Sequence, residues 1–394
     1  MTEETKKVVV RIPPSPTGYF HIGRARTALF NYLFAKKHGG RIIFRIEDTD
    51  KERSKKEYEE DIIASLHWLG ITYDEGPFKQ SERGEIYKKH IQRMLANGTA
   101  YISVESEGAN KEVIRLKNPN KIITFTDLIH GDITFDTTEL KDFVIARNID
   151  DPLYHLTVVV DDYEMGVTHV IRGDDGISNT PRQILLQEAL GAIRPVYAHV
   201  PLILAPDRSK MSARHGATSL RDFRNRGYLP EAMVNFLGLL GFNPGGEREL
   251  YTLKELSEIF DLSRVNKAGA VFNIDKLNWF NREYIKLLPE EERLKLVAKE
   301  FDTSAEPSLD KSKISWKTTP TAETVAHLEK ALTLLADKDA LMSYAESAGK
   351  GNVLWPLRYA LSGQEKSPDP FTLIALLGPE ESARRVQKAV ELLK

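Results

Sequence analysis

Two short polar segments carry residues suited to nucleotide chemistry. The first places His21 and Gly23 behind a run rich in proline, and the second is Lys210-Met211-Ser212. Glycine lets a nucleotide approach the backbone, histidine can donate a hydrogen bond to a phosphate oxygen, and lysine can balance phosphate charge. For the first segment alone, an ordinary strand-to-helix turn with an incidental histidine is the alternative. The two segments together favour a nucleotide site.

Such a site needs a strand that leads through a loop into the start of a helix. Residues 7–13 read as a buried strand and residues 24–37 as a helix, whose first-turn amides are predicted to face an anion. A strand at 41–46 and a helix at 52–69 follow, and Thr49 or Asp50 is the expected cap of that helix. This βαβ order predicts a parallel, doubly wound sheet that binds its ligand at the carboxyl ends of the strands.

The pattern changes farther along the chain. Short β-like segments between residues 100 and 162 indicate an insertion of different architecture, and the nucleotide-fold pattern returns at 167–172. Residues 180–183, Thr-Pro-Arg-Gln, read as a capping box with proline at the first helical position. After residue 214 the chain is mainly helical, and residues 303–323, rich in Ser, Thr, Pro and Lys, read as a linker or exposed loop.

Composition sets the broad class. A chain of 394 residues suggests two or three domains, and 41% hydrophobic with 28% charged residues is typical of a soluble globular protein. No apolar run reaches the roughly 18–20 residues of a membrane span, and the N-terminus lacks the apolar core of a signal peptide. We therefore expect a cytoplasmic protein with no membrane contact. The absence of cysteine excludes disulfides, thiolate nucleophiles and cysteine-ligated zinc.

Charged residues lie where the predicted sheet would bind a ligand. Glu47 ends the second predicted strand, where a carboxylate suits an ammonium group, and Arg11 and Arg172 end two others. An arginine fork binds a carboxylate through two parallel hydrogen bonds and rejects the corresponding amide. For Arg172, an ion pair with a nearby aspartate is the alternative. The aspartate pairs at 161–162 and 174–175 could hold Mg²⁺ or Ca²⁺, but solvated or network-forming side chains are the favoured interpretation for both pairs.

The full first segment resembles a known signature. Arg-Ile-Pro-Pro-Ser-Pro-Thr-Gly-Tyr-Phe-His-Ile-Gly at 11–23, followed by Ala-Arg-Thr-Ala-Leu-Phe-Asn-Tyr at 25–32, resembles the signature loop of class I aminoacyl-tRNA synthetases. The sequence of this segment is similar to that of the bacterial glutamyl-tRNA synthetases, and residues 210–214 resemble the second class I signature. The resemblance implies an α/β fold with a class I Rossmann-type doubly wound parallel sheet. It also implies an inserted α+β acceptor-binding domain and a mainly α-helical C-terminal tRNA-binding region.

The same resemblance implies domain boundaries. The expected domains are the two halves of the catalytic domain at 1–99 and 164–214, an acceptor-stem insertion at 100–163, a stem-contact region at 215–290 and a shortened anticodon-binding region at 291–394.

Site residues follow from the resemblance as well, because positions of this chain match those of the family motifs. Glu47 is implied to contact the α-amino group of glutamate. His21 and Lys210 are implied to be catalytic. The residues implied for ATP are Pro14, Thr17, Gly18, His21, Gly23, Lys210, Met211, Ser212 and Arg214. Those implied for glutamate are Arg11, Ser15, Glu47, Tyr154 and Arg172.

The implied reaction joins L-glutamate to the 3′ end of tRNA(Glu) through a glutamyl-adenylate. ATP is expected to bring Mg²⁺ on its phosphates, with no protein metal site and no zinc, and the enzyme is expected to be a monomer. Charging of tRNA(Gln) as well is left open, because it depends on anticodon contacts.

Several departures from the family pattern leave alternatives open. Ala213 replaces the second lysine of the second signature, Gly176 stands where histidine or an aromatic residue is usual, and a cysteine-rich zinc module is missing after residue 101. The helical C-terminal part is shorter, with the loss expected between residues 288 and 352. One alternative is a truncated paralogue that attaches glutamate to a modified tRNA anticodon base. The other is a tRNA-binding regulatory paralogue with weak catalysis.

Overall fold

The chain forms two compact units. The computed structural model describes residues 7–105, 112–211 and 218–394, the side chains of 297–300 excepted. The units comprise Met1–Tyr284 and Ile285–Lys394. No helix in these ranges is long and apolar enough to span a membrane.

The first unit is mixed α/β. Its helices are α1 (Ile22–Lys37), α2 (Lys56–Trp68), α3 (Gly84–Ala96), α4 (Tyr154–Glu164), α5 (Thr180–Leu190), α6 (Leu220–Asn225), α7 (Pro230–Leu239), α8 (Leu253–Ile259) and all but the last turn of α9 (Ile274–Leu287). Its strands are β1 (Val9–Ile12), β2 (Arg41–Ile46), β3 (Glu75–Lys79), β4 (Ala100–Val104), β5 (Glu112–Leu116), β6 (Ile122–Asp127), β7 (Gly131–Asp136), β8 (Val144–Asn148), β9 (Asp151–Pro152), β10 (His169–Gly173), β11 (Val196–Val200), β12 (Ile203–Leu204) and β13 (Ala270–Val271).

Two sheets carry the nucleotide-fold pattern. The first is parallel in the order β1-β2-β3, and the second has the order β10-β11-β6-β7, with β10, β11 and β6 parallel. The sheets are joined at β1, because Val9 N donates to Thr168 Oγ1 at 2.8 Å and Thr168 N donates to Val9 O at 2.9 Å. Strands β4, β5, β8 and β9 form a separate antiparallel sheet, as the change of sequence pattern after residue 100 predicts. Strands β6 and β7 lie in the same expected insertion but join β11 in the second sheet, so the insertion is not wholly separate from the nucleotide fold.

Both faces of the first sheet are covered by helices. Val10 belongs to an apolar cluster that includes Leu29 and Leu33 of α1, whereas Val9 belongs to a second cluster that includes Leu185 of α5. Neighbouring residues of a strand point to opposite faces, so helices pack on both sides of the sheet. The predicted doubly wound fold is confirmed.

Two capping predictions are wrong. Helix α2 begins at Lys56 rather than near residue 52 and has no side-chain cap, because Asp50 instead closes a turn through Arg53 N (3.1 Å) and Arg53 Nε (2.7 Å). Thr180 is already helical, and its hydroxyl accepts from Arg172 and donates to the Gly176 carbonyl. It cannot cap α5, because a 3₁₀-helix at Asp174–Asn179 leads directly into that helix. Gly191 ends α5 with φ of 67°, as predicted.

The second unit is helical. It contains α10 (Glu290–Glu300), α11 (Lys311–Ile314), α12 (Thr321–Leu332), α13 (Lys338–Ala348), α14 (Lys350–Ser362) and α15 (Pro370–Leu393), with a non-helical kink at Gly378. The expected linker at 303–323 is interrupted by α11 and by the start of α12. Helix α14 is not predicted from the sequence, since Gly351 and Pro356 disrupt its pattern. One apolar cluster, which includes Leu328, Leu357 and Val386, forms the core of this unit.

Candidate active site

A cavity of about 650 Å³ lies at the carboxyl ends of β1 and β10, beside the N-terminus of α1. Ser212 and Arg214 lie outside the described residues, as does Ala213. The other predicted site residues all line this cavity: Arg11, Pro14, Ser15, Thr17, Gly18, His21, Gly23, Glu47, Tyr154, Arg172, Lys210 and Met211. The structure therefore brings the two predicted binding sets together in one space.

His21 is the N-cap of α1, and this role determines which of its ring nitrogens carries the proton. Its Nδ1 accepts a hydrogen bond from Gly23 N at 3.0 Å, so Nδ1 is unprotonated and the neutral ring carries its proton on Nε2. Partial burial lowers the pKa of His21, and the positive charges of Arg24 and Lys210 lower it further. At neutral pH the ring is thus a neutral donor at the wall of the cavity.

Arg24 is a cavity residue that the sequence interpretation missed. It lies in the first turn of α1, which contains no acidic residue, and its Nη1 donates to the Ser15 carbonyl at 2.7 Å. A cation is unfavourable at this end of a helix, where the dipole and the free amides favour an anion. Arg24, Lys210 and the α1 amides together make this side of the cavity positive.

Buried ion pairs position the opposite side of the cavity. Glu47 is 7% exposed and accepts from Arg45 at 2.9 Å, and burial raises the pKa of Glu47 although Arg45 opposes this shift. Arg45 is fully buried and also donates to Asp162 at 2.8 Å, while Arg11 Nε lies 3.5 Å from the same Asp162 oxygen. Asp161 accepts further hydrogen bonds from Gln80, Arg83 and Tyr87. The aspartate pair at 161–162 therefore forms a network of hydrogen bonds and ion pairs, which was the alternative to a metal site in the sequence analysis.

The two arginines differ in how many donors they keep for a ligand. Arg172 donates from Nε to His199, from Nη1 to Gln183, and from Nη2 to Gly176 O and Thr180 Oγ1. Among the described residues, these bonds leave Arg172 one free N–H, too few for a two-bond fork. Arg11 makes one hydrogen bond within the described part of the chain, from Nη1 to Ile171 O at 3.2 Å. Arg172 forms no ion pair with either aspartate of 174–175, and Asp174 contacts His130 at 2.9 Å instead.

Tyr154 completes the wall beside the acidic residues. Burial raises the pKa of Tyr154 to about 12, with a further contribution from the Glu47 carboxylate. The phenol is therefore protonated at all physiological pH values and can donate a hydrogen bond.

Comparison with known proteins identifies the family. The family described as tRNA synthetases class I (E and Q), catalytic domain, matches residues 7–109 and 103–279, and the anticodon binding domain matches residues 292–390. A glutamate–tRNA ligase of Carboxydothermus hydrogenoformans is 39% identical, covering 96% of this chain and 99% of that protein. The chain belongs to the class I glutamate–tRNA ligase family.

Other members of the ligase family agree in sequence and structure. The glutamate–tRNA ligase of Aquifex aeolicus is 48% identical over 71% of this chain and 67% of its own length. The crystal structure of a glutamate tRNA ligase from Elizabethkingia meningosepticum, in complex with its amino acid, superposes with a TM-score of 0.78 at 31% identity, covering 99% of this chain and 100% of that one. The likeness extends over both units, which does not favour a paralogue that ends after the catalytic part.

Some residues that line the cavity of this family member were not predicted from the sequence as site residues. Arg24 was detectable, because a basic residue in the first turn of a predicted helix contradicts the dipole preference. Asn31 and Asn179 also line the cavity, but no local pattern marks them. Asp175 lines it too, although the paired aspartates at 174–175 suggested a metal site or a network and not this cavity. Among the described residues, no group of three or more His, Asp or Glu side chains is arranged to hold a metal ion.

Proposed function

We propose that this chain activates L-glutamate with ATP and transfers it to the 3′ end of tRNA(Glu). The observation that carries the proposal is the shared cavity, in which a carboxylate-binding set and a phosphate-binding set face the same space. Family membership supports the same reaction.

Glutamate is proposed to bind on the β1 and β2 side. Arg11 supplies the fork for the side-chain carboxylate, because it keeps more free donors than Arg172, and Arg172 adds one hydrogen bond and its charge. Glu47 binds the ammonium group, and Ser15 and Tyr154 complete the pocket. A neutral amide would face these donors with its own NH₂ group, so glutamine should be rejected.

ATP is proposed to bind along the loop at 14–18 and the start of α1. An oxygen of the glutamate α-carboxylate attacks the α-phosphorus of ATP, the bond to the bridging oxygen breaks, and pyrophosphate leaves with the electron pair. His21 donates from Nε2 to a phosphate oxygen, while Lys210 and Arg24 balance charge on the departing group. Mg²⁺ is proposed to arrive bound to the phosphates of ATP.

The second step transfers glutamate to tRNA. A ribose hydroxyl of the terminal adenosine attacks the adenylate carbonyl and releases AMP. We propose that residues 1–99 and 164–214 carry the chemistry, that 100–163 and 215–290 meet the acceptor arm, and that 291–394 meet the anticodon. The protein is proposed to act as a cytoplasmic monomer.

The test is ATP–pyrophosphate exchange with L-glutamate, L-glutamine or L-aspartate, each with and without tRNA(Glu). Exchange with glutamate alone among the three amino acids is expected. Arg11→Met should lower kcat/KM for glutamate by about 10²-fold, since it removes charge-assisted hydrogen bonds, whereas the exposed Arg53→Met should not change it. No exchange with any tRNA present would refute the proposal. Charging of purified tRNA(Glu) and tRNA(Gln) then decides the tRNA choice.

A further inference from the structure

A chain of three hydrogen-bonded groups leads from the cavity wall into the interior, from Arg172 through His199 to Asp127. Asp127 ends β6, His199 lies in β11 and Arg172 in β10, so three neighbouring strands contribute one residue each. His199 and Asp127 are 0% and 1% exposed. Asp127 Oδ2 lies 2.7 Å from His199 Nδ1, and Arg172 Nε lies 3.0 Å from His199 Nε2.

The proton positions in this chain follow from the arginine. The Nε–H of Arg172 can only donate, so His199 Nε2 must be unprotonated and must accept. The neutral ring then carries its proton on Nδ1 and donates it to the Asp127 carboxylate. Asp127 is itself held by the backbone amides of His199, Ile129 and His130, at 2.9–3.0 Å. The ring therefore has one orientation and one tautomer.

The guanidinium of Arg172 occupies space that a side chain at position 176 would fill. A Cβ on Gly176 would lie 2.5 Å from Arg172 Nε and 2.7 Å from its Cδ. The guanidinium cannot move aside without breaking its bonds to His199, Gln183 and Thr180. Two features thus fix the position of the Arg172 guanidinium. Gly176 leaves room for it, and His199 Nε2 accepts its Nε–H.

We propose that His199, oriented by Asp127, is a positioning residue that holds Arg172 in place for the glutamate carboxylate. His199 does not itself line the cavity. The proposal rests on the proposed function, because it gives Arg172 the glutamate as its ligand. Its new content is that glutamate affinity depends on the protonation state of a buried histidine behind the pocket.

Protonation of His199 would place an Nε2–H against the Nε–H of Arg172, two donors on two cations. Burial lowers the pKa of His199 and the Arg172 charge lowers it further, while the hydrogen bond to Asp127 opposes both effects. Other charged or titratable groups near His199 are Asp174, which acts electrostatically, Tyr197, whose ring centroid lies 6.0 Å from that of His199, and His130, whose Nε2 lies 3.1 Å from the His199 carbonyl. The Thr180 hydroxyl lies 3.2 Å from His199 Nε2. We expect the KM for glutamate to rise at acid pH, as His199 becomes protonated below the ordinary histidine pKa of 6.5.

Two substitutions separate the two sides of the ring. His199→Gln keeps an acceptor near the Nε2 position and loses the contact with Asp127, whereas His199→Asn keeps a polar atom near Nδ1 and loses the contact with Arg172. In pyrophosphate exchange, His199→Asn should raise the KM for glutamate about tenfold, with kcat and the KM for ATP within about twofold of wild type. His199→Gln should stay within about threefold of wild type and should lose the pH dependence of this KM. Gly176→Ala should also raise the KM for glutamate.

Three results would overturn the proposal. Equal effects of the two His199 variants would indicate a purely structural role. If the KM for glutamate is unchanged in His199→Asn, His199 does not affect glutamate binding. If the pH dependence of this KM is unchanged in His199→Gln, a group other than His199 causes it.

¹⁵N spectra of the histidine side chains test the contact without any activity. They should show His199 as the Nδ1–H tautomer, with an Nε2 shift that changes in Arg172→Met. An Nε2–H tautomer would refute the hydrogen bond. If wild-type protein shows no glutamate-dependent exchange, the proposed function fails, and these spectra still decide whether His199 holds Arg172.

Discussion

Replacement of His21 by asparagine or glutamine can separate its two roles. Its Nδ1 caps α1 through Gly23 N, and its Nε2–H is the proposed donor to ATP. Asparagine is among the best N-cap residues, so His21→Asn should keep the cap and lose the distal donor. Glutamine caps poorly, but its amide nitrogen reaches the region of Nε2. Each variant therefore keeps one function of the ring.

The expected magnitudes come from the two contacts. Removal of one donor aimed at developing phosphate charge lowers the rate by about 10²–10³-fold in comparable sites. Loss of an N-cap costs about 1 kcal/mol of folding free energy. His21→Asn should therefore lower kcat for pyrophosphate exchange by about 10²-fold or more, with the free energy of unfolding within about 0.5 kcal/mol of wild type. His21→Gln should lose about 1 kcal/mol of stability and retain more of the exchange rate.

Pyrophosphate exchange at saturating glutamate and ATP measures the first quantity, and urea denaturation followed by circular dichroism measures the second. His21→Ala is the control that loses both functions. If His21→Asn exchanges at the wild-type rate, His21 serves only as a helix cap and its proposed catalytic role is wrong. If His21→Asn is as unstable as His21→Ala, the assigned tautomer is wrong.

Three further substitutions test other parts of the site. Arg24→Met should raise the KM for ATP about tenfold in pyrophosphate exchange, because it removes a cation from the proposed phosphate side, and should change the KM for glutamate less, because within the described residues Arg24 contacts the glutamate pocket through the Ser15 carbonyl alone. Burial lowers the pKa of His155 to about 4, so the folded state binds fewer protons than the unfolded state between pH 4 and 6.5, and stability falls as the pH falls through this range. His155→Gln should remove a component on the order of 3 kcal/mol from the pH dependence of unfolding in urea. Arg45→Met should destabilise the protein by about 3–5 kcal/mol in thermal or urea unfolding, because it leaves buried carboxylates unpaired, whereas the exposed Arg53→Met should cost less than about 1 kcal/mol.

Local signals explain why the first half of the catalytic fold was predictable. Strand β2 matches its predicted range of 41–46, and α1 starts within two residues of its predicted start. Both are marked by apolar runs bounded by proline, glycine or charged residues. The cavity residues of the first signature followed for the same reason, since strand, loop and helix are consecutive in the chain.

Long-range contacts explain what the sequence could not reveal. The bond from Arg45 to Asp162 spans 117 residues, and that from His199 to Asp127 spans 72 residues. No pattern in the sequence indicates such pairing, because each partner reads locally as an ordinary residue of its own element. The two wrong caps have the same origin, since Thr180 and Asp50 bind tertiary or turn partners in place of the expected amides.

The residues that contradict local preference are the ones that serve the cavity. Arg24 places a cation at the positive end of a helix dipole, and Arg45 lies fully buried in a strand where an apolar side chain is usual. Folding alone explains neither. An uncharged residue would cost less free energy in the first turn of α1, and apolar residues in place of Arg45 and its carboxylate partners together would avoid the desolvation of buried charges. Arg24 faces the proposed phosphates, and Arg45 holds the Glu47 carboxylate in place. Such a contradiction is therefore a functional signal in this chain. For Arg24 the contradiction can be found from the sequence, because the start of the helix is predictable. For Arg45 it cannot, because the partner Asp162 lies more than a hundred residues away.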